Sequence, residues 1–154
     1  MKQITTLLIL ALALAGCQHQ HLHVQNIGEP EYPYAARYKN LQGSVNVKVS
    51  IGPDGKVENA EGSGAPDILV KAAEDNVKQW KFGPFPAVSE FPVEHTVTVK
   101  YTLEGKPQVV ASPLIVKTFL PDRIEISTTP LLPDLMFGST PPEKINPDLK
   151  ANKK

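Results

Sequence analysis

The clearest pattern in the sequence is an alternation of apolar and polar residues in the middle of the chain. Every second residue from Val45 to Ile51 is apolar and the residues between them are polar. This period of two predicts a strand with one buried face. Gly52-Pro53-Asp54-Gly55 follows as a turn, so residues 56–61 are expected to form the second arm of a hairpin.

A helical period comes next. Between Asp67 and Phe82, the apolar residues Leu69, Ala73, Val77 and Trp80 recur at spacings of four, four and three. This spacing predicts an amphipathic helix that ends before Gly83-Pro84. We expect its Trp80 to pack over the valines of the sheet.

Alternation returns in the second half of the chain. A third strand is predicted from Val93 to Leu103, with His95 on its apolar face. Residues 114–119 and 123–127 flank Leu120-Pro121-Asp122 and predict a second hairpin that covers or extends the sheet. A short helix is expected after Tyr32-Pro33. The whole pattern indicates an α+β fold.

The N-terminus is typical of an exported lipoprotein. Lys2 precedes an apolar run from Ile4 to Ala15, which is shorter than the roughly 20 residues that a membrane span needs. Leu14-Ala15-Gly16-Cys17 resembles a lipobox, in which the cysteine becomes the lipidated N-terminus. We therefore expect Cys17 to anchor the chain to a bilayer, with the outer membrane favoured; the alternative is an ordinary cleaved signal.

Three histidines follow the cysteine at alternate positions: His19, His21 and His23. Neutral imidazoles bind divalent transition metals, so a weak metal site is one interpretation of this segment. No carboxylate or thiol lies beside them, and we favour a solvated tether.

Composition excludes several classes of function. Sixteen basic and sixteen acidic residues give a formal net charge of zero, which argues against a nucleic-acid partner. The single cysteine excludes an internal disulfide framework. No nucleophile, acid or base belongs to a recognisable catalytic set, so we expect no enzyme activity and no cofactor.

An ordered set of motifs resembles the TonB C-terminal domain family, a periplasmic module of energy transducers that act on outer-membrane transporters. The residues that carry the resemblance are Tyr32, Pro33, Gly43, Asp54, Gly55, Trp80, Phe82 and Pro84. The resemblance covers roughly residues 29–104 and implies a three-stranded antiparallel sheet with two helices on one face. The family's transmembrane helix and long proline-rich arm have no counterpart here, so energy transduction by this chain alone is not expected.

These patterns divide the chain into five segments. They are a signal peptide (1–16), a tether (17–28), the TonB-like domain (29–104), a hairpin extension (105–129) and a proline-rich, mostly disordered tail (130–154).

The predicted function is protein binding by strand addition. An open sheet edge accepts a partner strand through main-chain hydrogen bonds. We expect the edge to be the strand Val93–Leu103, with Thr96, Thr98, Lys100 and Thr102 on its polar face. The expected partner is a periplasmic segment of another protein, such as an outer-membrane transporter, and a homodimer through the same edge remains open. The alternative is a membrane-tethered metal-binding protein that uses His19, His21 and His23.

Overall fold

The computed structural model describes residues 22–85 and 90–132. It contains two helices, α1 (Tyr34–Tyr38) and α2 (Asp67–Val77). Its strands are β1 (Val24–Asn26), β2 (Gly43–Ile51), β3 (Val57–Ser63), β4 (Lys81–Phe82), β5 (Val93–Leu103), β6 (Ile115–Phe119) and β7 (Arg123–Thr128). The predicted α+β class is confirmed.

Five strands form one mixed sheet in the order β3-β2-β5-β7-β6. Strands β3, β2 and β5 make the predicted antiparallel core of the sheet. The β6–β7 hairpin forms as predicted and joins the sheet through β7, which lies parallel to β5. The three-stranded antiparallel sheet is therefore present, and the predicted hairpin extends it to five strands.

The hydrophobic core lies on one face of this sheet. The apolar residues from Val45 to Ile51 in β2 and Val97, Val99 and Tyr101 in β5 are buried there, and Leu69, Ala73 and Val77 of α2 belong to the same core. Trp80 is also part of this core, as its spacing predicts. The opposite face of the sheet, which we call the open face, carries the polar residues of β2, β5 and β7 together with Ile115, Lys117 and Phe119 of β6.

The predicted helix over residues 67–82 is too long. The observed helix α2 ends at Val77, and the Trp80 N–H then donates to the Val77 carbonyl in a tight turn. Lys81–Phe82 is extended and pairs with β1, which lies in the segment predicted to be a solvated tether. The apolar period continues through this turn, so periodicity alone does not reveal the end of the helix.

Gly55 brings this second, two-stranded sheet close to the first. The Phe82 N–H donates to the Gly55 carbonyl at 2.8 Å. Gly55 has φ +80, and a Cβ atom on it would lie 2.0 Å from the Phe82 oxygen. Glycine is required here both for the backbone conformation and for the close approach.

The chain after β7 packs against α1. The Arg37 Nε atom donates to the Thr129 carbonyl at 3.1 Å, and the Leu131 N–H donates to the Arg37 carbonyl. Leu131 is buried, although the sequence places it in the tail. Within residues 22–85 and 90–132, neither helix has the length and apolar character needed to cross a bilayer.

Candidate partner-binding edge of the sheet

The direction of the backbone groups in the sheet follows from two hydrogen bonds. The Thr98 N–H donates to the Asp122 carbonyl and the Glu104 N–H donates to the Thr128 carbonyl, each at 2.8 Å. Successive residues of a strand direct their N–H and C=O groups to opposite sides, so the even-numbered residues of β5 face β7. The registers of β5 with β7 and of β7 with β6 then place the odd-numbered residues of β6 against β7. Val116 and Thr118 consequently direct their backbone groups away from the sheet.

The expectation that β5 is an edge strand is wrong. It lies between β2 and β7, and the register pairs Thr98, Lys100 and Thr102 with Arg123, Glu125 and Ser127. Only Thr96, among the four predicted edge residues, lies beyond the end of β7 in this register. The C-terminal hairpin therefore occupies most of the edge that the sequence assigns to a partner.

The outer edge of β3 is partly closed by α2. The Gly62 N–H points outward from the sheet and donates to Glu74 Oε1 at 2.7 Å. Glu58 and Glu61 add two exposed acidic side chains to the same strand. A charged edge with one of its outward backbone donors already used is a poorer acceptor for another strand.

The outer edge of β6 is open. All five of its residues are exposed, including Ile115 at 57% and Phe119 at 46%. Val116 and Thr118 present outward backbone groups for which the described residues supply no strand. Of the nine large apolar residues that are exposed in the described chain, six lie between Val109 and Leu120. Three of the six, Ile115, Val116 and Phe119, belong to β6, so exposed apolar side chains lie on the strand that has the free backbone edge.

Charges on the open face cluster around Glu125. Its Oε1 atom lies 3.5 Å from Arg123 Nε and 4.0 Å from Lys100 Nζ. The Arg123 guanidinium also stacks over the Phe119 ring, with 4.3 Å between its carbon and the ring centroid. Lys117 is the register partner of Glu125 on β6, yet it makes no ion pair within 4.0 Å among the described residues.

A second group of charges lies on the open face further along β5. Lys48 Nζ is 3.3 Å from Glu94 Oε2. The hydrogen bond from the Ser50 hydroxyl, supported by Lys48, lowers the pKa of the Glu94 carboxyl. Glu94 is therefore already paired, in contrast to Lys117.

His95 lies at the junction of β5 and the hairpin. Its Nε2 atom is 3.3 Å from Asp122 Oδ1, but the geometry is not that of a hydrogen bond. The contact is an ion pair only when the imidazole is protonated. His95 therefore sits at the rim of the inner face, as predicted, beside the turn of the hairpin.

The residues of the family motif occupy structural positions. Tyr32, Trp80 and Phe82 are buried in the core. Pro33 precedes α1 and Gly43 begins β2, while Asp54 and Gly55 form the turn before β3. The Lys56 backbone N–H donates to Asp54 and lowers the pKa of its carboxyl. Pro84 follows β4.

Several predicted residues lie outside the described part of the chain. These are Cys17, His19 and His21. His23 is described and exposed, and its carbonyl accepts a hydrogen bond from the Gly83 N–H at 2.9 Å. Within residues 22–85 and 90–132, no group of three or more His, Cys, Asp or Glu side chains is placed to hold a metal ion. The proposed metal site remains a prediction.

The residues of β6 were not among the predicted binding residues. The sequence predicts this hairpin, but its alternation does not reveal which strand will pair with the rest of the sheet. A useful signal is the difference in apolar pattern between the two strands of the hairpin, β6 and β7. Ile124 and Ile126 alternate with polar residues, whereas Ile115 and Val116 are adjacent and place apolar groups on both faces. Apolar side chains on both faces of an outer strand expose at least one of them.

The comparisons with known proteins agree with the fold. Residues 28–103 match the family model described as the C-terminal domain of the Gram-negative bacterial TonB protein. A search of curated proteins found no match. The matched segment contains both helices and the β3-β2-β5 part of the sheet, whereas β6 and β7 lie outside it. This family consists of periplasmic protein-interaction domains linked to outer-membrane transport, and residues 28–103 of this chain belong to it.

Proposed function

We propose that this chain binds an extended segment of a periplasmic partner, which adds as a sixth strand along the outer edge of β6. The observation that carries the proposal is the outward direction of the Val116 and Thr118 backbone groups on an exposed strand. Strand addition requires such unpaired groups. The partner is expected to be a membrane-associated protein, such as an outer-membrane transporter, and the interaction involves no chemical reaction.

The other edges support this choice. At β5, a partner would have to displace β7, whose Ile124 and Ile126 are fully buried in the core. At β3, the Gly62 donor is already bonded to Glu74. An added strand at β6 displaces nothing that the structure describes, and it covers the exposed Ile115 and Phe119 side chains.

A proline substitution tests this proposal. Thr118→Pro removes one outward N–H and leaves the β6–β7 ladder intact, because the Lys117 and Phe119 backbone groups face β7. The matched control is Thr118→Ala, which loses the same side chain but keeps the N–H. Peptides are first selected from a random displayed library on the mature wild-type protein, and their affinities for the three proteins are then measured by fluorescence anisotropy.

We expect the selected peptides to bind wild type and Thr118→Ala with similar affinity and to lose at least tenfold in affinity for Thr118→Pro. Circular dichroism must show the same fold for all three proteins. Equal binding to Thr118→Pro and Thr118→Ala would contradict strand addition at β6. The surface bearing Phe85 and Phe91, whose rings are 5.2 Å apart, would then be the next candidate.

The alternative of a membrane-tethered metal-binding protein rests on His19, His21 and His23 alone. We expect any divalent transition metal to bind there with micromolar or weaker affinity and without raising the melting temperature. Zinc titration of the wild type and of a triple alanine variant distinguishes a metal-binding role from a tether.

A further inference from the structure

We infer that the partner segment carries an acidic residue between two apolar residues on the strand face that lies over the open face of the sheet. This inference rests on the proposed addition of a strand at β6 and concerns the chemistry that this edge selects. It follows from the side chains that β6 presents beside an added strand.

Three side chains of β6 lie on the open face: Ile115, Lys117 and Phe119. They are the register partners of Ser127, Glu125 and Arg123, and partners opposite each other in a sheet share a face. Both apolar members are exposed, and the lysine lies between them. A strand added beside β6 therefore places its own alternate side chains next to an apolar, a basic and an apolar residue.

The charge of Lys117 is available to a partner. Glu125 is its register partner, but the carboxylate lies instead within 4.0 Å of Arg123 and Lys100. The remaining acidic residue of the hairpin, Asp122, faces His95 on the other side of the sheet. The open face of β5, β7 and β6 beyond Thr98 therefore carries Lys100, Lys117 and Arg123 against Glu125, an excess of two positive charges.

The positive charge of Arg123 lies close to β6, the outer strand. Its guanidinium lies over the Phe119 ring, and Phe119 is at the end of β6. An acidic side chain beside Lys117 would thus lie next to one cation, on the face of β6 towards which Arg123 also extends. Opposite charges on neighbouring strands stabilise pairing, whereas like charges oppose it. A lysine at the same position of the partner should be rejected.

Two synthetic peptides test the inference. One has the sequence Thr-Ile-Thr-Glu-Thr-Ile-Thr, and the other has lysine in place of the glutamate. Both are blocked at their ends and carry a fluorophore, and anisotropy is measured with the full mature chain. The variant is Lys117→Gln, and the matched control is Lys71→Gln, which removes the same charge from the exposed surface of α2.

We expect the glutamate peptide to bind wild type about tenfold more tightly than the lysine peptide, because attraction is replaced by repulsion. Lys117→Gln should reduce this preference about two- to fivefold, and Lys71→Gln should leave it unchanged. Both effects should weaken as salt is added.

Equal affinity of the two peptides, with binding still lost in Thr118→Pro, would overturn the inference and leave strand addition intact. Charge preference that is insensitive to Thr118→Pro would instead contradict strand addition. If neither peptide binds and sedimentation shows a dimer that Thr118→Pro dissociates, the edge belongs to a second copy of this chain and the inference is wrong. Absence of both binding and self-association would overturn both proposals.

Discussion

Tyr32 and Tyr101 meet edge to face in the core, with ring centroids 5.1 Å apart, but their hydroxyl groups are in different situations. The Tyr32 hydroxyl donates to the Leu41 carbonyl at 2.6 Å. The Tyr101 hydroxyl is buried and has no hydrogen-bond partner among the described residues. The same deletion of one oxygen should therefore have different effects at the two positions.

We predict that Tyr32→Phe lowers the free energy of unfolding by about 1 kcal/mol, because it removes a hydrogen bond. Tyr101→Phe should be neutral or stabilising, since it removes a buried hydroxyl that the fold does not satisfy. Urea denaturation of both variants measures the difference. A larger loss in Tyr101→Phe than in Tyr32→Phe would contradict this account of the core.

Burial also makes stability depend on pH at the alkaline end. It raises the pKa of Tyr32 to about 12, against a smaller opposing effect of Arg37, and it also raises the pKa of Tyr101. The fold favours the neutral phenols, so their contribution is fully present below the unfolded-state pKa of about 10. It is lost as the pH rises from about 10 towards 12.

We predict that the free energy of unfolding falls between pH 9.5 and about 11.5, more steeply in wild type than in Tyr32→Phe. Other groups that titrate in this range are common to both proteins, so the difference in slope reports Tyr32 together with its effect on the neighbouring Tyr101. Urea denaturation at several pH values measures it. If the free energy of unfolding fell equally steeply with pH in both proteins, the pKa of Tyr32 would be the same in the folded and unfolded states, which would contradict this prediction.

At the scale of elements, the C-terminal hairpin has two unlike strands. Ile124 and Ile126 of β7 have no exposed surface, whereas every residue of β6 is exposed. The hairpin is therefore part of the core through β7 and an edge through β6. A hairpin that only covered the edge of β5 and could be displaced by a partner, which we call a plug, would not bury its residues so completely in the core.

We predict that Ile126→Ala costs about 2 to 5 kcal/mol of stability, as large-to-small changes in a core do. Val116→Ala should change stability by about 0.5 kcal/mol or less, as is usual at surface positions. Thermal and urea denaturation compare the two, and deletion of residues 108–154 should destabilise the fold strongly. A deletion variant as stable as wild type would contradict this prediction, because it would show that the hairpin only covers the edge of β5 and is not part of the core.

Local sequence patterns predict where each strand lies better than they predict which strands pair with each other in the sheet. The alternation predicts both β2 and β5, the latter with its observed bounds, and the turn at Leu120-Pro121-Asp122 predicts the hairpin. The parallel pairing of β5 with β7 is a contact between segments distant in sequence, and alternation does not encode it. The same limit explains why the sequence places the free edge on β5 and not on β6.

The hydrogen bonds between side chains in the core could not be predicted from the hydrophobic pattern either. Asn76 interrupts the apolar spacing of α2 and has the character of a surface residue, but it is buried. Its amide accepts a hydrogen bond from Trp80 Nε1 at 3.1 Å and donates to the Ile27 carbonyl. A buried polar residue of this kind is recognised only once its partners are placed.

At the scale of the whole molecule, the proposed lipid anchor would attach the binding domain to a membrane. The expected anchor is Cys17, which lies outside the described residues, and β1 begins seven residues after it at Val24. A lipid anchor would hold the domain close to the bilayer. The partner would then be a protein that presents its segment near the same membrane.

We predict that Cys17→Ser moves the protein from the membrane fraction to the soluble periplasmic fraction. Acyl chains contribute about 0.8 kcal/mol per buried methylene group, so loss of the cysteine removes the expected anchor. Labelled fatty acid should enter the wild type and not the variant. Unmodified wild-type protein in the soluble fraction would contradict lipidation at this residue.

Amide hydrogen exchange tests strand addition at β6 most directly, because the register separates two classes of backbone N–H within one strand. The amides of Val116 and Thr118 point outward, and those of Lys117 and Phe119 face β7. In the free protein we predict fast exchange at the first pair and slower exchange at the second. Binding of a selected peptide should slow exchange at Val116 and Thr118 with little change at Lys117. If the peptide binds while Val116 and Thr118 continue to exchange rapidly, no strand has been added at β6.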